Sequence, residues 1–232
     1  SADLVSSPKL YSSEQDTVIR DSDNPDNFTR IQGALLGAVC SVEEIKYLEI
    51  ILQEIVSTSP VLGLVDGTLV MLDLLRSGIP EYVVKNVLSE GFIGTLDRID
   101  KLCKGKNLSL ASYISLPGSS EVVDSVRSVS RLSPGEHHDS KIQSKNRSYD
   151  SISNGIRDRD IFALLLKPGW RSSVFGTSYQ ISHAYYGANR VSFFYINVGE
   201  EIGRVEIPQW VARDTDKVNT VQTLILDQCA RG

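Results

Sequence analysis

Residues 61–72 read VLGLVDGTLVML, an aliphatic run with Asp66 and Gly67 at its centre. Moving an ionised carboxylate out of water costs several kcal/mol unless a cation or a set of hydrogen-bond donors compensates its charge. Asp66 is therefore either exposed or placed beside something cationic. The run predicts one or two buried strands, but Asp-Gly between apolar residues is also typical of a type I′ hairpin turn, which would leave Asp66 in solvent.

A second carboxylate precedes this run on a predicted helix over residues 42–56. At about 100° per residue, one face of that helix is apolar, and it comprises Val42, Ile45, Leu48, Leu52, Ile55 and Val56. Glu49 falls inside this apolar arc, 17 residues before Asp66 (66 − 49). A salt bridge or a snorkelling position at the edge of the face would also account for a glutamate there.

A helix, a short turn and a strand can bring Glu49 and Asp66 to one end of a sheet. Two adjacent carboxylates repel each other, and a proton or a divalent cation resolves the conflict. Hard oxygen ligands suit Mg²⁺ or Mn²⁺. Carboxylate-bound metals of this kind serve phosphodiester hydrolysis, because they activate water and neutralise the leaving oxygen.

Helical and strand patterns alternate along the remaining chain, which predicts an α/β fold. The expected elements are a helical region at 73–105 broken at 77–80, a strand within 108–119, a helix over 119–129 behind a serine cap, strands over 190–199 and 201–210 joined by a tight turn at Gly199 and Glu200, and a helix over 214–229 with Asp214 as its N-cap.

Residues 133–155 are rich in serine, glycine, asparagine and charge, which predicts a surface loop or lid within a single domain spanning 1–232. His137, His138 and Asp139 lie in this segment, and we favour a solvated loop over a metal site there. Asp160, which opens the next helical stretch, is interpreted as an N-cap rather than a further ligand.

The segment KPGWRSSVF offers a candidate DNA contact. Lys167 and Arg171 flank Trp170, so positive charge and a stacking surface occur together, as in channels for single-stranded nucleic acid. A core tryptophan with solvated charges beside it is the alternative.

The composition excludes some classes of protein. A formal net charge of −5 and a pI of about 5.3 argue against a protein that coats nucleic acid through overall positive charge. Three widely spaced cysteines argue against a disulfide framework and favour a reducing cytoplasm. No apolar run reaches membrane-spanning length, so we expect no membrane association.

Long segments of the chain resemble the NurA family of DNA nucleases. YLEIILQEIVSTSPVLGLVDGTLVML resembles the helix and Asp-Gly strand of that family, and FFYINVGEEIGRVEIPQWVARD is similar to part of its C-terminal half. ASYISLPGSSEVVDSVR resembles the segment after that strand, and DRDIFALLLKPGWRSSVF is also similar to part of the C-terminal half.

The resemblance implies a ribonuclease H-like core, with a mixed sheet flanked by helices, in a homodimer that degrades DNA with Mn²⁺ or Mg²⁺. It implies that Glu49 and Asp66 are catalytic metal ligands and that a HerA-type translocase is the partner in DNA end processing and repair. A catalytically inactive module that binds DNA or the translocase is the alternative.

The chain departs from the family pattern at two places. Nothing matches the family's first Asp-Gly-Ser strand, since Asp3 lacks the glycine and the preceding apolar residues, and nothing matches its terminal histidine segment. We therefore expect residues 1–232 to be a domain cut at both ends, with little nuclease activity of their own.

Overall fold

The computed structural model describes residue 10 and residues 13–75, 78–131 and 155–231. These residues fall into two compact units: the first lies within Ser1–Ile55 and Met71–Leu102, and the second within Val56–Val70 and Cys103–Gly232. The predicted loop at 133–155, including His137, His138 and Asp139, lies outside the described residues up to its last position, Gly155. A single domain over 1–232 stays a prediction.

The first unit combines a small antiparallel ribbon with helices. In the ribbon, Ile19 lies opposite Thr29. The elements are β1 (Val18–Arg20), β2 (Phe28–Arg30), α1 (Ala34–Glu54), α2 (Glu81–Val83), a π-helix (Val84–Ile93) and α3 (Gly94–Cys103), with 3₁₀ turns at Glu14–Thr17 and Leu72–Leu75. Helical structure therefore runs without a break from residue 81 to residue 103, as predicted for this region.

Helix α1 buries the apolar face that its sequence predicts. Val42, Ile45 and Leu52 are buried at helical spacing, and Glu49 is buried among them. The prediction is wrong for Val56, which lies beyond the end of the helix and is fully exposed. The π-helix packs closely on this face, since a Cβ at Gly91 would lie 3.1 Å from a Val42 methyl carbon.

The second unit is built on a five-stranded mixed sheet in the order β3-β4-β7-β6-β5. Strands β3 and β4 run parallel, and the other neighbouring pairs are antiparallel. The strands are β3 (Val61–Asp66), β4 (Leu108–Ile114), β5 (Phe175–Gly176), β6 (Val191–Asn197) and β7 (Ile202–Pro208). Among the described residues no strand pairs with the outer side of β3, so the Asp66 strand forms an edge of the sheet.

The hairpin between β6 and β7 is the one that the sequence predicts. Its turn closes where Val198 N–H donates to the Glu201 carbonyl at 3.1 Å. Gly199 adopts φ 103°, a left-handed conformation that favours glycine, and Glu200 follows it.

Helices cover both faces of the sheet. These helices are α4 (Glu121–Arg131), α5 (Asp158–Leu165), α6 (Gln180–Tyr185), α7 (Gln209–Ala212) and α8 (Thr215–Arg231). On one face, residues of α7 and α8 pack on Phe194 and Val205. On the other face, α4 and α5 contribute to a cluster around Phe193 and Tyr195. The predicted α/β fold with a mixed sheet flanked by helices is confirmed, and the arrangement is consistent with a ribonuclease H-like core.

The helix caps agree with the sequence for α8 but not for α5. Asp214 caps α8, because its Oδ1 accepts the backbone N–H groups of Asp216 at 3.0 Å and Lys217 at 3.2 Å. The N-cap prediction for Asp160 is wrong. The N-cap of α5 is Arg157, and Asp160 stands three residues later, where its carboxylate accepts the Arg157 N–H at 2.8 Å.

Asp158, at the start of α5, caps the neighbouring helix α4. Its two carboxylate oxygens accept the N–H groups of Val122 at 3.1 Å and Val123 at 2.9 Å, and one of them also accepts the Tyr195 hydroxyl at 2.8 Å. Asp158 is completely buried, so these donors replace its hydration. No helix in the described part of the chain is both long enough and apolar enough to cross a membrane.

Candidate functional site

Asp66 is the last residue of β3, and its side chain is exposed. It lies opposite Tyr113 of the parallel strand β4, and the ladder extends one residue further where Gly67 N–H donates to the Tyr113 carbonyl at 3.0 Å. Because the only strand beside β3 is parallel, Asp66 and Gly67 do not form the turn of a β-hairpin in the described residues. The Asp66 carboxylate therefore lies in solvent at the carboxyl end of a strand.

Gly67 supplies a change of backbone direction. Its φ is 104°, which L-residues with a side chain rarely adopt, and a Cβ built at this position would meet no atom within 4 Å. The glycine is therefore required by the backbone conformation rather than by crowding. Residues 67–71 leave the sheet and form no strand.

The residues after Gly67 are held by a buried glutamate of β7. One oxygen of Glu206, Oε2, accepts both the Thr68 hydroxyl and the Leu69 N–H, each at 2.8 Å. The Leu69 carbonyl accepts the Tyr186 hydroxyl at 2.9 Å. The segment that follows Asp66 is thus bonded to two distant parts of the second unit.

Glu206 belongs to a buried ionic network centred on Arg204. The Arg204 guanidinium pairs with Glu206 Oε1 through Nε at 3.0 Å and with Glu121 Oε2 through Nη1 at 2.7 Å. Its carbon lies 3.7 Å from the centre of the Phe193 ring, which adds a cation–π contact. Arg204 and Glu206 are each 2% exposed, so the network is removed from water.

The far end of the network holds the loop before α6. Oε1 of Glu121 accepts the Thr177 hydroxyl at 2.8 Å and the Ser178 N–H at 2.8 Å. Burial alone would raise the pKa of Glu121, but Arg204 and these donors together hold that pKa below its usual range. For Arg204 the signs are reversed. Burial alone would lower its pKa, but the nearby carboxylates of Glu206 and Glu121 raise that pKa above its usual value.

Sequence reasoning missed this network. The segment IGRVEIP alternates polar and apolar residues, which is typical of a strand with one solvated face. All seven residues of β7 are nevertheless buried, because helices cover both faces of the sheet. Two charged residues inside a predicted strand were the available signal in the sequence. Nothing in the local sequence marks Glu121 or Asp158 as buried.

Glu49 is ion-paired within the first unit. Both of its oxygens accept Arg98 Nε, at 2.8 Å and 3.0 Å, and Oε1 also accepts the side-chain amide of Gln53 at 3.2 Å. Arg98 is oriented in turn by Thr95, whose hydroxyl accepts Nη2 at 2.8 Å. The buried position predicted for Glu49 is observed, and so is the salt bridge that the sequence left open.

Glu49 lies in the first unit and Asp66 in the second. That the two carboxylates share a metal ion stays a prediction. Both supply carboxylate oxygens, the donor type that Mg²⁺ and Mn²⁺ prefer. Within its own unit, no described residue donates a hydrogen bond to the Asp66 carboxylate, whereas Glu49 is already neutralised by Arg98. The described residues contain no cluster of three or more histidine, cysteine, aspartate or glutamate side chains able to hold a metal ion.

The predicted DNA-contact residues lie between α5 and β5. Trp170 is 59% exposed, which excludes the core-tryptophan alternative, and Lys167 Nζ lies 5.5 Å from the centre of its ring. Arg171 is half-buried and donates to Asn219 at 3.2 Å and to the Ser172 carbonyl at 3.1 Å. Charge and an open aromatic face therefore occur together at Lys167 and Trp170.

The chain was compared with protein families, curated proteins and solved structures. The NurA domain model matches residues 42–232, which is most of the chain and includes Glu49, Asp66, Arg204 and Glu206. Neither the curated proteins nor the solved structures yielded a significant match. The family match agrees with the resemblance read from the sequence: this chain belongs to the NurA family, a family of nucleases.

Proposed function

We propose that this chain is the nuclease domain of a protein that hydrolyses DNA phosphodiester bonds with Mn²⁺ or Mg²⁺, with Asp66 and Glu49 as metal ligands. The observation that carries the proposal is the exposed Asp66 carboxylate at the end of β3, followed by a segment bonded to a buried network. Strand ends are where α/β proteins place reactive groups, since the sheet holds them rigidly.

Each residue has a separate role in the proposed reaction. Asp66 offers an open carboxylate, and Glu49 contributes a second one when Arg98 releases it or shares it. The chemistry that a bound divalent cation supplies is activation of water and neutralisation of the charge that develops on the phosphate oxygens. Lys167 and Trp170 supply a cation and a stacking face for a DNA strand. Arg171 would reach a phosphate only by giving up its bond to Asn219.

The proposed oligomeric state, partner and location rest on family membership. We propose that the protein acts as a homodimer beside a HerA-type translocase in DNA end processing in the cytoplasm. A second candidate function is a DNA- or translocase-binding module without catalysis. The ion pair between Glu49 and Arg98 favours this alternative, because a carboxylate neutralised by arginine is a weaker metal ligand.

The test uses the full-length protein with Asp66→Asn and Glu49→Gln. Matched controls are Asp227→Asn and Glu54→Gln, which neutralise exposed carboxylates in the same two units. Cleavage of linear duplex and single-stranded DNA is measured in Mn²⁺ and in chelator. We expect each site variant to lose cleavage almost completely and each control to keep it. More than a few per cent of residual Mn²⁺-dependent activity in either site variant contradicts the ligand assignment. DNA binding by the wild type without any cleavage supports the binding module.

A further inference from the structure

We propose that Glu206 is the positioning residue for Asp66: its buried carboxylate fixes the segment that follows Gly67 and so sets the direction in which the end of β3 presents Asp66. The inference rests on the proposed role of Asp66 as a metal ligand. Arg204 and Glu206 form a charged pair that is almost entirely buried.

The contacts restrain three consecutive residues. Gly67 N–H donates to the Tyr113 carbonyl, while Thr68 and Leu69 both donate to a single oxygen of Glu206. Charge-assisted bonds of 2.8 Å are stronger than bonds between neutral groups. Because Asp66 precedes these residues directly, its backbone has little freedom to rotate at the end of the strand.

The register of the sheet explains how Glu206 reaches across to this segment. Ser112 of the intervening strand β4 pairs with Val65 on one side and with Glu206 on the other. Side chains alternate between the faces of a sheet, so Asp66 lies on the opposite face from the Val65 row. Thr68 and Leu69 are therefore bonded to a side chain on the face opposite to that of Asp66.

The burial of the pair argues for a role in geometry rather than in stability. Removing two charges from water is costly, and well-packed apolar residues of similar volume are often at least as stabilising. Buried ionic groups are best attested where they specify one arrangement among several. Here the arrangement specified is that of residues 67–69.

Two threonines at opposite ends of the network provide a matched test. Thr68 donates to Glu206 and Thr177 donates to Glu121, both at 2.8 Å, and each hydroxyl also accepts a backbone N–H two residues later. Thr68→Val and Thr177→Val therefore each remove one hydroxyl donor from the ionic network, the first at an exposed residue and the second at a buried one. Only Thr68 belongs to the segment that follows Asp66.

Three quantities are measured in the full-length protein: hydrogen exchange of the Leu69 amide, Mn²⁺ affinity by calorimetry, and the Mn²⁺ concentration that gives half-maximal cleavage. We expect Thr68→Val to accelerate exchange and to weaken Mn²⁺ binding about tenfold, as loss of an outer partner of a metal ligand does. Thr68→Ser should restore both the exchange rate of the Leu69 amide and the Mn²⁺ affinity. Thr177→Val should change neither, even if it lowers the unfolding midpoint as much as Thr68→Val does.

Glu206→Gln gives a second, stronger perturbation. An amide can turn its oxygen to Leu69 only by turning its NH₂ towards Arg204, so one side of the network always loses a good partner. We expect Mn²⁺ affinity to fall by about tenfold to a hundredfold. Glu121→Gln is the control, since it disturbs Arg204 from the other side.

The outcomes separate this inference from the proposed function. Faster exchange at Leu69 with unchanged Mn²⁺ affinity overturns the positioning role alone. Equal loss of Mn²⁺ affinity in Thr68→Val and Thr177→Val also overturns it, since a general loss of stability would then be the cause. If Asp66→Asn binds Mn²⁺ as the wild type does, the metal role of Asp66 fails and the inference fails with it.

Discussion

The aromatic ring of Tyr113 lies against the backbone of Gly203, at a point where any Cβ on residue 203 would overlap the ring. This close approach lets the Tyr113 hydroxyl donate to Glu201 at 2.7 Å. We expect Gly203→Ala to destabilise the protein by about 1–3 kcal/mol, because an added methyl group in a packed interior forces its neighbours to move. Chemical unfolding with the wild type as reference measures the change.

Gly176→Ala is the control for this prediction, because Gly176 is also a strand residue but is exposed, and a Cβ there meets no atom within 4 Å. Tyr113→Leu should remove the overlap, so the double variant Gly203→Ala with Tyr113→Leu should cost less than the sum of the two single variants. A strictly additive double variant would show that the ring is not what excludes a side chain at position 203.

Glu121 should make part of the stability pH-dependent on the acid side. Its pKa is lower in the folded protein than in the unfolded chain, so the carboxylate contributes stability above the unfolded pKa of about 4.3, and that contribution disappears as the pH falls below this range. The stability difference between wild type and Glu121→Gln should therefore be largest near pH 7 and should shrink below about pH 4. Urea midpoints at a series of pH values measure it, and a difference that grows on acidification would contradict the assignment.

The ion pair between Glu49 and Arg98 should be visible as an energetic coupling. The Glu49 side chain is 10% exposed and that of Arg98 is 47% exposed, so the pair is only partly shielded from water. We expect Arg98→Met to cost about 1–3 kcal/mol, because it leaves a buried carboxylate without its cation. The cost should be smaller in a Glu49→Gln background.

A double-mutant cycle built from Glu49→Gln and Arg98→Met measures this coupling directly. We expect the two changes to be less than additive by about 1 kcal/mol, because the exposed side of the pair is screened by water. Glu54→Gln combined with Arg98→Met is the control pair, and it should be additive. Equal coupling free energies in the two cycles would show that the Glu49–Arg98 pair does not contribute to stability.

Two lysines that lie over tryptophans allow a test of the proposed DNA contact. Lys167 lies over the exposed Trp170, and Lys217 lies over the half-buried Trp210 at a similar distance, 5.6 Å. The indole of Trp210 is also bonded to Asn189 at 3.0 Å. We expect Lys167→Ala and Trp170→Ala to weaken single-stranded DNA binding, and Lys217→Ala to have no effect.

The expected loss of DNA affinity differs between the stacking contact of Trp170 and the phosphate contact of Lys167. Loss of one stacked base costs about 1–3 kcal/mol, whereas loss of one phosphate contact lowers the slope of log affinity against log salt by about 0.7 for a single strand. Trp170→Phe should retain most of the affinity. Equal effects of Lys167→Ala and Lys217→Ala on binding would remove the Lys167–Trp170 surface from the proposal.

Features that depend on neighbouring residues can be predicted from the amino-acid sequence alone. The α8 helix follows from Asp214 and the apolar spacing after it, and the β6–β7 hairpin follows from Gly199 between two apolar runs. The apolar arc of α1 predicted that Glu49 is buried. The family was recognisable from long segments of sequence, and the domain match over 42–232 confirms it.

Contacts between residues that are distant along the chain could not be predicted before the fold was known. Parallel pairing with β4 excludes the hairpin at Gly67, and local sequence could not reveal it because the pairing partner lies more than forty positions away. Arg98 reaches Glu49 from 49 positions along the chain, and Glu206 reaches Leu69 from 137 positions. Periodicity reports whether one face of an element is apolar, but whether its other face is covered depends on what packs there. For this reason β7, which alternates like a half-exposed strand, is buried along its whole length, and its two charges depend on each other and on partners from distant parts of the chain.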